Sequence, residues 1–206
     1  MRSSTACQPA YANRRRAVTR GAVSELQPGW ETERHEVPRW FACFTRARAE
    51  KRVERMLLER SIGAYLPTMT LKRVWADRRK AVAFPLFPSY VFARFELREL
   101  HRVLTIPGVA TIVRIGGQPA PVPDADIENI RLLVAGLTKT DQRPELRPFQ
   151  EGERVVVSGG PFRGIEGVVI QLRSRTHVLV GLRTIGHGLS VQIQERLLQS
   201  ITRTSC

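Results

Sequence analysis

The sequence predicts an α+β protein: an N-terminal antiparallel sheet with flanking helices, followed by a small all-β barrel. Three observations predict it. Before residue 138, runs with a strand period alternate with runs of helical period. After residue 149, short Val-rich runs are separated by glycine-containing turns. Between them, TKTDQRPELRPF at 138–149 carries two prolines, alternating charges and little to bury, which reads as a linker.

Taken in order, residues 1–38 show no sustained apolar period and read as a disordered basic tail. Its first half is rich in Ser, Thr and Arg, as transit peptides are, but it lacks the apolar centre of a secretory signal. Order is expected from Trp40, where WFACFT reads as a buried strand. Over 46–60, Ala49, Val53, Met56 and Leu57 recur at spacings of three and four and predict an amphipathic helix. Residues 65–75 and 81–95 read as the arms of one long hairpin with a polar tip, ADRRK. Pro85 and Pro88 cannot donate ladder hydrogen bonds, so the second arm should hold an edge, bulge or bend. A strand at 109–115 stops at Gly116-Gly117, and Pro123-Asp124 opens a helix with Ile127, Ile130 and Val134 on one face. Strands are then expected at 154–157, 168–172, 178–182 and 189–193. The domains are therefore 39–137 and 150–206.

The chain has 206 residues, enough for one large domain or two small ones with real cores. Lys and Arg number 33 against 19 Asp and Glu, a net charge of +14, which suits a polyanionic partner. No run approaches the roughly 18 apolar residues of a bilayer span, so no membrane crossing is expected. The three cysteines, Cys7, Cys43 and Cys206, form no C-x-x-C pair and encode neither a zinc ribbon nor a disulfide framework, which fits a reducing cytoplasm.

Catalytic constellations are missing. His35, His101, His177 and His187 have no ligand spacing, there is no G-x-S-x-G elbow, and the glycine pairs lack the Lys-Ser/Thr of a phosphate loop. No enzyme, metal or cofactor is therefore expected, and the protein should act by binding. Arg46, Arg48, Lys51, Arg52 and Arg55 lie in or beside the first helix, and Lys72, Arg73, Arg78, Arg79 and Lys80 gather at the hairpin tip. Both clusters suit phosphates, although Glu50, Glu54 and Glu59 interleave with the first, as on an ordinary solvated face.

The segment Pro85-Leu86-Phe87-Pro88-Ser89-Tyr90-Val91-Phe92 resembles the Phe-Phe-Pro-Gly-Tyr and Leu-Phe-Pro-Asn-Tyr segments of the NusG family of transcription elongation factors. The order around it agrees: Trp40-Phe41, a helix, Tyr65-Leu66-Pro67, this motif, then Pro107-Gly108-Val109. Residues 156–169, VVSGGPFRGIEGVV, resemble the KOW motif of the same family, which closes an SH3-like barrel. Ser89 in place of Gly, the preceding Pro-Leu-Phe-Pro, TMTL at 68–71 and IGGQPAPVP at 115–123 look more like the specialised RfaH and UpxY branch. One departure is His101-Arg102-Val103-Leu104, which keeps only the His of the His-Thr-Thr-Thr with which RfaH touches the polymerase gate loop.

The resemblance implies an antitermination factor that acts as a monomer. Its N-terminal domain would bind the clamp helices of RNA polymerase through Phe87, Pro88, Tyr90, Phe92 and His101 and suppress pausing. The basic residues would touch upstream or non-template DNA. Pro161, Phe162 and Arg163 on the KOW loop would recruit a small-subunit ribosomal protein or Rho. Strand alternation puts Tyr90 and Phe92 on one face and Val91 on the other, so one of these sets could be internal. The rival reading is a stand-alone KOW-type RNA-binding protein associated with ribosomal RNA. Glycines at 159, 160, 164 and 167 among β-branched runs penalise helix, so a stable barrel is expected rather than the helical hairpin that RfaH can adopt.

Overall fold

The structure, a computed structural model, describes residues 37–75, 78–150, 152–172 and 175–201. All but the last two residues of the expected tail, and two residues of the hairpin tip, lie outside them. The first half runs β1 (Arg39–Thr45), α1 (Glu50–Glu59), β2 (Gly63–Tyr65), β3 (Thr68–Trp75), β4 (Arg78–Pro85), β5 (Tyr90–Phe95), α2 (Leu100–Leu104), β6 (Val109–Ile112), β7 (Arg114–Ile115), β8 (Gln118–Pro119), β9 (Pro121–Val122) and α3 (Asp124–Leu137).

β1 is apolar at almost every position because it is the central strand of a sheet covered on both faces. The antiparallel order is β2-β5-β1-β6, and β9 pairs with the other end of β1. On one face Phe41, Cys43, Val91, Ala93 and Phe95 pack with Val53 and Leu57 of α1 and Val103 of α2. On the other, Trp40, Ala42, Phe92 and Val122 pack with Ile127, Ile130 and Leu133 of α3. Each helix presents its apolar residues at spacings of three and four, which is the stripe that such a sheet face requires.

Two boundaries differ from the sequence reading. The single long hairpin is divided: β3 and β4 pair only with each other, while β2 and β5 belong to the main sheet. The breaks fall at Leu66-Pro67 and at 86–89, where Pro67 and Pro88 have no N–H to continue a ladder. The first helix begins at Glu50 rather than Arg46, because Arg48 holds a left-handed φ of 63° that a helix cannot include.

The C-terminal half forms one antiparallel sheet in the order β10-β14-β13-β12-β11-β15: β10 (Glu145–Pro148), β11 (Arg154–Val157), β12 (Glu166–Leu172), β13 (Arg175–Leu182), β14 (His187–Gln192) and β15 (Leu198–Ser200). The four strands expected there are present, and the Val-rich runs are extended, not helical. Gly167 lets β12 cross β13 closely, since a Cβ there would lie 2.7 Å from the Leu179 carbonyl oxygen. The linker reading needs correction at its C-terminal end. Glu145–Pro148 is a strand paired with β14, and just before it the Gln142 side chain donates to the Gln192 carbonyl (3.0 Å) and accepts the Gln192 N–H (3.0 Å). An amide side chain thus imitates one more ladder pair.

Candidate interface residues

The Pro-Leu-Phe-Pro-Ser-Tyr segment is a turn leading into β5, and it sorts its side chains by burial. Phe87 and Phe92 are sealed in the core, with their rings edge-on at 6.0 Å. These two expected contact residues are packing residues in this structure, because α3 covers the sheet face to which Phe92 points. Pro88 is exposed and Tyr90 is half-buried. Tyr90 is the first residue of β5, directly opposite Phe44 at the end of β1, and the two rings meet edge to face at 5.4 Å. Phe44 is 40 % exposed although its neighbours Cys43 and Thr45 are buried. Sequence reasoning missed it; the signal was its cross-strand place beside Tyr90. The aromatic edge is therefore Phe44 with Tyr90, and Pro88 beside them in the chain.

Deeper in the sheet the environment is different. Burial pushes the Cys43 thiol up to about 12, which leaves it inert. Tyr65 is also raised to about 12 by burial, while Arg131 of α3 stacks over it and over Trp40 at 5.1 and 5.7 Å.

The basic residues divide. Arg46 and Arg48 lie in the turn before α1; Lys51, Arg52 and Arg55 are exposed on α1 itself, and Arg55 pairs with Glu59 at 3.5 Å. Arg78, Arg79 and Lys80 begin β4, and the structure describes their backbone only. His101 is exposed on α2, a helix not expected from the sequence. Arg60 fastens α2 to α1 by donating to the Arg102 carbonyl (2.7 Å) and the Thr105 hydroxyl (2.9 Å).

The loop carrying Pro161, Phe162 and Arg163 was expected to offer an aromatic tip. Pro161 and Arg163 are exposed, but Phe162 is only 3 % exposed. It lies against α3 at Gly136, where a Cβ would fall 2.7 Å from both the ring Cε1 and the Pro161 carbonyl oxygen. The glycine is thus a socket for the ring. One helical turn and more away, the Asn129 side chain clasps the backbone of Glu166 in both directions, accepting its N–H (2.9 Å) and donating to its carbonyl (2.5 Å). Thr184 adds a hydroxyl bond to the Pro121 carbonyl (3.4 Å). Beside these contacts is a cleft of about 500 Å³ lined by Asp126, Arg154, Glu166 and Arg183. Burial raises the Asp126 carboxyl there, against the lowering influence of Arg154 and Arg183. The contacts that Gly136 and Asn129 make carried no sequence signal, since their partners lie some thirty residues away.

Among the described residues no three His, Cys, Asp or Glu side chains gather as metal ligands would, and no helix is long and apolar enough to cross a membrane.

Comparison with known proteins supports the motif reading. The family model described as NusG, transcription termination factor nusG, matches residues 38–131. The chain is similar to the transcription termination/antitermination protein NusG of Borreliella burgdorferi, 22% identical over 79% of this chain and 98% of that protein. It is likewise similar to the protein of that name from Thermus thermophilus, 28% identical over 75% of this chain and 94% of the relative. A solved structure titled "Domain interaction in Thermotoga maritima NusG" aligns with 80% of this chain and 98% of its own at a TM-score of 0.47 and 23% identity.

Proposed function

We propose, on the premise that residues 38–131 are a NusG-family segment, that this protein is a transcription elongation and antitermination factor of the specialised RfaH and UpxY kind. It binds RNA polymerase at the clamp helices and suppresses pausing without covalent chemistry. The observation that carries the reading is the Phe44–Tyr90 pair. Both faces of the main sheet are covered by helices, yet this edge-to-face pair stays accessible beside exposed Pro88. Paired aromatics at a rim are what a protein interface anchors on, each worth about 2 kcal/mol or more when a partner buries it. Phe87 and Phe92 serve the same surface from beneath, by fixing the turn. His101 on α2 adds a polar contact at the polymerase.

Lys51, Arg52 and Arg55, with the basic start of β4, face the upstream or non-template DNA. Since no aromatic lies among the α1 cations, their contact is with phosphates and independent of sequence. Pro161, Phe162 and Arg163 form the recruitment loop for a small-subunit ribosomal protein or Rho, and Phe162 serves it once the C-terminal sheet leaves Gly136.

The test is co-purification with RNA polymerase and a purified pausing assay, comparing the full chain with Phe44→Ala and Tyr90→Ala. Loss of both binding and pause suppression in the variants is expected. Retention of polymerase in both variants sinks the reading. Salt-steep binding to ribosomal RNA that ignores both substitutions favours the stand-alone RNA-binding alternative.

A further inference from the structure

We propose that Glu50 and Glu54 are positioning residues, two carboxylates on one face of α1 that lock the β3–β4 hairpin in a fixed direction relative to the Phe44–Tyr90 edge. By sequence they are acids diluting a basic helix. In the structure they do something else. Glu50 is only 6 % exposed, and its Oε1 accepts the Ser89 N–H at 2.8 Å. One turn on, Glu54 Oε1 accepts the Leu66 N–H at 3.1 Å. Residues four apart on a helix share a face, so both acids point into the protein while Lys51, Arg52 and Arg55 point out.

Leu66 and Ser89 are the two feet of the hairpin. Between them the chain runs out along β3 and back along β4, and the Leu86 N–H closes the base on the Pro67 carbonyl at 2.8 Å. The hairpin belongs to a sheet of its own, so the ladder of the main sheet does not orient it. Proline at 67 and 88 interrupts the ladder at both feet, and an amide left outside a ladder and held by a carboxylate is a charge-assisted anchor. Ser89 is held in a left-handed conformation, with a φ of 66°, and its carbonyl accepts the Thr45 N–H at 2.8 Å. Phe44 and Tyr90 are the chain neighbours of this bond's donor and acceptor, so the anchor of the hairpin is also the anchor of the aromatic edge. Burial raises the Glu54 carboxyl, as expected of an acid held inside for its acceptor oxygen.

The inference rests on the proposed function only for its consequence: a hairpin locked in direction presents its basic residues to nucleic acid while the aromatic edge is docked. The lock itself is tested without polymerase. In the full chain with Cys7→Ser and Cys206→Ser, spin labels at Thr70→Cys and Lys139→Cys report the hairpin direction as a distance distribution; buried Cys43 does not label. Glu50→Ala with Glu54→Ala is expected to widen that distribution at least twofold, and to weaken pause suppression about tenfold. Glu50→Gln with Glu54→Gln keeps an acceptor oxygen at each site and is expected to restore both. An unchanged width in the alanine variant overturns the inference, as does a widening that the glutamines fail to repair. Should the double alanine variant lose its cooperative melt, Glu54→Ala alone, at the less buried site, decides by the same measure. If the widths behave as stated but the unaltered chain does not suppress pausing, the functional reading falls and the lock stands.

Discussion

Replacing Gly136 by Ala puts one methyl group where the Phe162 ring now rests. The backbone of α3 cannot yield, because both the ring and the Pro161 carbonyl oxygen lie within 2.7 Å of the new Cβ. The ring must therefore leave its seat. Full burial of a Phe side chain is worth about 2 kcal/mol, so the docked arrangement should lose roughly 30-fold in its equilibrium against the undocked one. Alanine also raises helix propensity by about 0.5–1 kcal/mol, but α3 is helical in both arrangements, so this gain cancels from docking and appears only in the melt. The assay is NMR of the full chain, following the Asn129 side-chain amide and the Glu166 backbone amide, which are paired only when docked. Both resonances should move to solvent-like shifts in Gly136→Ala, while the core resonances of the main sheet stay in place. Unmoved Asn129 and Glu166 resonances would refute the reasoning, since they would mean that the ring contact does not hold the two halves together.

Three further outcomes are expected. Asp126 is raised by burial in the interhalf cleft, so the docked state binds its proton more tightly than the undocked state; docking should weaken as pH rises from the ordinary carboxylate range through that raised value and level off on either side, and Asp126→Asn should remove the dependence in the same NMR assay. With Cys7 and Cys206 replaced by Ser, Cys43 should react with a thiol reagent at pH 8 about 1000-fold more slowly than the unfolded chain, as a rise from 9.0 to about 12 implies; labelling within the mixing time would contradict the burial. Ser89→Gly should stabilise the protein by about 1 kcal/mol, the left-handed strain relieved less the entropy that glycine loses, read as a higher urea midpoint at unchanged slope. A lower midpoint would show that the serine side chain contributes more than its backbone costs.

Much of the fold was legible because it follows local periods. Val53 and Leu57 announced α1, Ile127 and Ile130 announced α3, and the Val runs of the C-terminal sheet announced their strands. What was hidden depends on contacts far apart in sequence. The Tyr90 motif could be found by its residues, but alternation left open which face of β5 was internal, and only the placement of α3 shows Phe87 and Phe92 to be sealed beneath it. Phe162 looked exposed because nothing in its own loop buries it; its seat is a glycine of another element. Glu50 and Glu54 looked like solvated acids because helical spacing alone does not say which face turns inward when charges occupy both. Glu145–Pro148 looked like linker because the apolar partner of an edge strand lies on its neighbour, β14.

That edge strand and the Gln142 clasp shorten the free part of the connection to residues 138–141. Four residues reach about 14 Å at full stretch. The C-terminal half, once detached, is therefore leashed close to its own seat, at an effective concentration of millimolar order. Any outside molecule seeking Phe162 contends with that standing local rival, so weak passers-by are turned away and only a partner itself held nearby captures the ring.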